Sequence, residues 1–114
     1  MKTYRLSADQ IQQLAPGYGG AIATDRITVD GAPVSYMYRT HTDREFDSGW
    51  AFLAGDEDEA YMDEASHHGI FDVNTIANYD PDIIPFLNMP AGSAYIRTEL
   101  GLVPDPLGAP EERD

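Results

Sequence analysis

GWAFLAGDEDEAYMDE, residues 49–64, is the stretch on which the architecture turns. Within it, WAFLA (50–54) places Trp50, Phe52 and Ala54 on one side of an extended chain and Ala51 and Leu53 on the other. Both sides are apolar, which predicts an inner strand of a sheet rather than an edge. Gly55 ends the run and four acids follow at 56–59. Asp56 with Glu59 three residues later has the form of a capping box, predicting a helix over 57–65 with Asp56 at the cap. Glu57 and Asp58 then fall in the first turn, where the helix dipole favours anions. Capping accounts for Asp56 and tolerates the other acids, but does not require so many.

Upstream, Ser7 and Gln10 form another capping-box pattern, and Ile11 and Leu14 extend it into a helix over 8–15 that stops at Pro16-Gly17. GAIAT (20–24) and RITV (26–29) read as short strands, with Asp30-Gly31 as a hairpin turn. In VSYMYRT (34–40), Val34, Tyr36 and Tyr38 alternate with Ser35, Met37 and Arg39, the period of a half-buried strand. Residues 41–49 form a polar loop. Downstream, Asp72 can cap a helix over 73–78. Asp80-Pro81-Asp82 places a cap, a proline at the first helical position and an acid in the first turn. Pro85 should stop or kink that helix. GSAYIRT (92–98) is the last strand, and residues 104–114, rich in proline and charge, read as a flexible acidic tail. Short strands with short helices between them predict one α+β domain over 1–103, a mainly antiparallel sheet with short helices packed on it.

Composition narrows the chemistry. The chain has 114 residues, enough to bury a core without staples. It has no cysteine, so disulfides, thiolate metal sites and cysteine nucleophiles are excluded. No apolar run has the length of a signal-peptide core or a membrane span, which predicts a cytoplasmic protein. Twenty acids against seven Lys and Arg give a net charge of −13. That field disfavours nucleic acid and anionic membranes and attracts basic proteins or cations.

Each chemically suggestive cluster has a plain alternative. A calcium loop requires a glycine in the turn, and Asp56 and Asp58 are followed by Ala60. A glycosidase-like pair requires carboxylates facing across a cleft, which neighbours in one helical turn do not provide. Asp63 and His67, like Glu64 and His68, are spaced i, i+4 and would face one way on a longer helix, but Gly69 argues that the helix has ended. Gly17, Gly19 and Gly20 do not fit a dinucleotide loop. No nucleophile elbow, P-loop or HExxH is present, so no catalytic residue, cofactor or dedicated metal site is expected. Trp50, the sole tryptophan, reads as core. Asn74, Asn78 and Asn88 read as turn and cap formers.

GWAFLAGDEDEAY (49–61), NTIANYDPDIIPFL (74–87) and GSAY (92–95) together resemble the bacterial immunity protein 33 family, over about residues 20–98. The pieces that carry the resemblance include Gly49-Trp50, the Gly55-Asp56-Glu57-Asp58 run, Asn74-Thr75-Ile76, and Asp80-Pro81 with the residues up to Pro85. The chain departs from the family pattern at Ala51, where relatives often carry a larger polar or basic residue. The resemblance implies an α+β domain, without enzymatic activity, that protects a bacterium from a toxin of a polymorphic system. The partner expected is a basic toxin domain, bound through an acidic surface of Glu57, Asp58, Glu59, Asp63 and Glu64. The rival readings are a small metal-dependent enzyme or metal-binding protein using the same acids with His67 and His68, or a general protein-interaction module.

Overall fold

The computed structural model describes residues 2–110. Its frame is a six-stranded sheet in the order β4-β1-β3-β2-β5-β6. The strands are β1 (Gly20–Thr24), β2 (Tyr36–Arg39), β3 (Asp47–Leu53), β4 (His68–Asp72), β5 (Ala94–Thr98) and β6 (Gly101–Pro104). All neighbours are antiparallel except β1 and β3. Three short helices, α1 (Asp25–Thr28), α2 (Glu59–Asp63) and α3 (Val73–Tyr79), and a 3₁₀ segment (Pro81–Phe86) complete the α+β fold.

β3 is an inner strand, as its apolar faces predict. Trp50 and Phe52 are almost wholly buried and stack with ring centroids 6.1 Å apart. With Ala21, Ala23, Met37 and Tyr95 from neighbouring strands, they meet Ile27 of α1, Val73 and Ile76 of α3, and Ile83 and Leu87 in and after the 3₁₀ segment. One core therefore lies on one side of the sheet. The Trp50 indole N–H donates to the Leu87 carbonyl at 3.2 Å, so the buried ring leaves no polar atom unsatisfied.

The opposite side of the sheet carries its own pattern. Register places Ile70, Ile22, Ala51, Tyr38 and Ala94 in one row across five strands. Leu53, Tyr36, Ile96 and Val103 form a second row. Ile70, Ile22 and Ile96 are exposed there.

Several expectations are corrected. The helix over 8–15 is a single 3₁₀ turn, Ala8–Gln10, although its Ser7 and Gln10 capping box is made. Beyond it, Asn74 and Asn78 of α3 capture the chain. Asn74 Oδ1 accepts from the Leu14 and Ala15 amides and Asn78 Oδ1 from the Gln12 amide, all within 2.9 Å. Tertiary hydrogen bonds thus replace those a longer helix would make. RITV is not a strand: residues 25–28 form α1, so no hairpin turns at Asp30-Gly31. In β2 it is Met37 that enters the core, while Tyr36 and Tyr38 are half-buried on the other face. β4 and β6 were not foreseen. The expected tail is anchored well beyond residue 104: the Asp105 amide donates to Ala94 O and the Ala109 amide to Gly92 O, and Ala109 is buried. The last part of that tail, residues 111–114, lies outside the described residues.

Candidate functional site

The acid run leaves β3 through Gly55, whose φ of +94° suits a residue without a Cβ. Each acid then takes a different place. Asp56 turns to α1, where its carboxylate accepts from Arg26 Nη2 at 2.7 Å and Nε at 3.1 Å. Arg26 also pairs with Asp30, one helical turn on, at 3.0 Å. These hydrogen bonds from Arg26 hold the Asp56 carboxyl below its usual range, and hold the guanidinium above its own.

Glu57 folds back on the strand end. Its carboxylate accepts from Thr24 Oγ1 at 2.6 Å and from the Ala54 and Gly55 amides at 2.8 Å each. This is a turn closed by a charge, satisfying two backbone donors and a buried hydroxyl together. Asp58, rather than Asp56, is the helix cap: its Oδ1 accepts from the Tyr61 amide at 2.7 Å, and α2 begins at Glu59. The cap shifts by two residues because Asp56 is held by Arg26 and Glu57 by the strand end. Glu59 and Asp63 are exposed at the two ends of α2. Glu64 binds Ser66, whose hydroxyl and amide lower its pKa. The run is therefore graded from structural carboxylates at Asp56 to Asp58 to solvent-facing ones at Glu59 and Asp63.

The histidines do not join it. α2 stops at Asp63, so the helical face that would align Asp63 with His67 and Glu64 with His68 is not formed. His67 stacks on Tyr61 with centroids 4.2 Å apart, and its Nδ1 lies 2.9 Å from the Tyr61 carbonyl oxygen. His68 Nε2 lies 3.3 Å from the Met62 carbonyl oxygen. Both rings spend a nitrogen on the backbone of α2. Among the described residues no group of three or more His, Asp or Glu is arranged to hold a metal ion.

The second acidic motif is a junction. Asp80 caps the 3₁₀ segment through the Asp82 amide, with Pro81 at the first position. Its other oxygen accepts from the Val34 amide at 2.9 Å and from Arg97 Nη2 at 2.6 Å. Arg97 in turn donates to Val34 O and to Asp82. Asp80 is thus a buried pin joining β5, the entry to β2 and the 3₁₀ segment. Asn74 sits behind its own cap, Asp72, and holds the N-terminal segment as described.

The structure also brings forward residues that the sequence reading passed over. Arg26 and Thr24 anchor the acid run, but sit in a segment whose β-branched residues read as a strand. The signal was present: Thr24 precedes Asp25 at a helix start, and Arg26 and Asp30 are spaced i, i+4. Phe46, in the loop read only as polar, is 80% exposed beside β1 and β4, with Glu45 and Asp47 flanking it. A lone Phe among polar residues was its only mark.

Comparison with known proteins follows the same outline. No curated protein and no solved structure matches the chain. The family model described as the immunity protein Imm33 domain matches residues 21–103, from within β1 to within β6. The match spans the sheet, the acid run, the Asn74 helix and the Asp80 junction, and on that coverage the chain belongs to the Imm33 immunity protein family.

Proposed function

We propose that this protein protects the cell that makes it by binding and neutralising a cognate toxin in the cytoplasm, acting by association rather than by catalysis. Membership of an immunity family over residues 21–103 is the observation that carries the reading. The net charge of −13 supports a basic partner, since complementary fields raise association rates by roughly 10–10³-fold. Glu57, Asp58, Glu59, Asp63 and Glu64 contribute to that field. Glu59 and Asp63, which face solvent, are the acids best placed to meet the partner, while Glu57 and Asp58 act mainly by shaping the turn.

The test is co-expression and co-purification with the toxin domain encoded by the adjacent gene, made as an inactive variant. Association kinetics are then measured over a salt series. A complex whose on-rate falls with salt, and falls further for Glu59→Gln with Asp63→Asn, supports the reading. No complex at any salt concentration refutes it. Loss of binding with chelator would favour the metal-dependent alternative instead.

A further inference from the structure

One face of the sheet is covered by the helices; the other is apolar and bare along its β4-β1-β3 side. There Ile70 and Ile22 stand side by side in adjacent strands, next to the small, buried Ala51 of β3. Phe46 rises beside them, and with Tyr38 and Glu45 they line a hollow of about 520 Å³. Ile70 is 77% exposed, Phe46 80% and Ile22 43%. Three large apolar side chains exposed together at one hollow are unusual for a surface that meets only water.

The loop presenting Phe46 is braced where it enters β3. The Phe46 carbonyl accepts from the Gly20 amide at 2.7 Å. A Cβ at Gly19, where φ is +97°, would stand 2.6 Å from that same oxygen, so glycine there lets the loop close on β1. The Asp47 carboxylate accepts from Thr42 Oγ1 at 3.2 Å and from the Gly49 amide at 2.9 Å. The Ser48 hydroxyl donates to Gly20 O at 2.6 Å, where the β1 and β3 register shifts. An exposed aromatic side chain on a fixed backbone loses little freedom on binding, as befits an interface anchor.

The rim gives the sign of the occupant. Register at the strand ends places Asp72 and Asp47 on either side of Gly20. Glu45 lines the hollow with Asp47, against Arg44. A second copy of the chain would bring two molecules of net charge −13 together, a like-charge approach that association disfavours.

We propose that the open face around Phe46, Ile22 and Ile70 is the docking surface for the toxin. The partner fits an apolar or aromatic side chain into the hollow and sets basic side chains against Glu45, Asp47 and Asp72. This inference rests on the immunity reading above and names the surface that serves it. It differs from steering by α2: the acids of α2 govern the encounter, and the open face holds the bound complex.

The test uses the full chain and the same inactive toxin domain from the adjacent gene. Phe46→Ala and Ile70→Ser remove the apolar anchors at exposed positions, so both variants should melt within a few degrees of the parent. Each is expected to raise Kd about tenfold or more, mainly through the off-rate. Glu45→Lys is expected to weaken binding and to flatten its salt dependence. If the parent binds the toxin and both apolar variants bind equally well, the docking surface is refuted and the immunity reading survives. Failure of the parent to bind overturns both. A concentration-dependent dimer of the parent, abolished by Ile70→Ser, would assign the face to a second copy and also refute the proposal.

Discussion

Asp80→Ala offers the sharpest test of the packing argument, because sequence and structure give it different magnitudes. As a helix cap alone, Asp80 is worth about 1 kcal/mol. The structure adds two further losses. Arg97, whose side chain is 22% exposed, would lose its 2.6 Å partner, and the Val34 amide would lose its acceptor at 2.9 Å. Removing one member of a buried pair costs about 3–5 kcal/mol, and the partial exposure of Arg97 together with its remaining bond to Asp82 at 3.0 Å places this case at the low end, near 3 kcal/mol. That corresponds to a fall in Tm of roughly 10–20 °C for a domain of this size. Urea unfolding followed by the fluorescence of Trp50, the sole and buried tryptophan, measures it directly. Asp80→Asn, which keeps one acceptor oxygen, for the cap or for Val34, but neither the second acceptor nor the charge, should fall between the parent and Asp80→Ala. Adding Arg97→Leu to Asp80→Ala should cost less than the sum of the two single changes, since the double variant strands no charge. A loss of about 1 kcal/mol or less for Asp80→Ala at an unchanged m-value would refute the junction and leave only the cap.

Trp50→Ala should destabilise by about 3–5 kcal/mol in thermal or urea unfolding followed by circular dichroism, the usual cost of emptying a core site of that size. Glu57→Gln should cost about 1–3 kcal/mol by the same measurement, because it weakens charge-assisted bonds to Thr24 Oγ1 and to the Ala54 and Gly55 amides; a neutral result would return Glu57 to the solvated surface. Asn74→Ala should selectively remove hydrogen-exchange protection from the Leu14 and Ala15 amides, which it accepts. Asp56 should titrate below a free aspartate in NMR, and Arg26→Gln should raise its midpoint. A carboxyl held low when folded stabilises above the unfolded value of about 3.9, and that contribution is lost as pH falls through the lower folded value; an Asp56 midpoint at or above the free value would remove the Arg26 contact from solution.

The local signals that survive into the tertiary structure are those satisfied by near neighbours or by simple burial. WAFLA is apolar on both faces and becomes an inner strand wherever the rest of the chain goes. Ser7 with Gln10, Asp72 before Val73, and Asp80-Pro81 close their own backbone donors, and the caps as such need no distant partner, although the second oxygen of Asp80 takes two. The family resemblance was legible for a related reason, being carried by Trp50, the turn at Gly55-Asp56, Asn74 and the Asp80-Pro81 cap. What only the folded chain decided is how side chains with several possible uses were allotted. Asp56, Glu57 and Asp58 are adjacent and chemically alike, and any could cap α2. Arg26 across the surface takes the first and the end of β1 takes the second, so the third becomes the cap. RITV has the composition of a strand, yet Ile27 is wholly buried in the core from α1. The exposed hollow beside Phe46 comes from β4, β1 and β3 with the loop before β3, segments up to 50 residues apart whose register no local pattern encodes. Local hydrogen bonding can be read along a chain, whereas competition among equivalent groups for distant partners is settled only when those partners arrive.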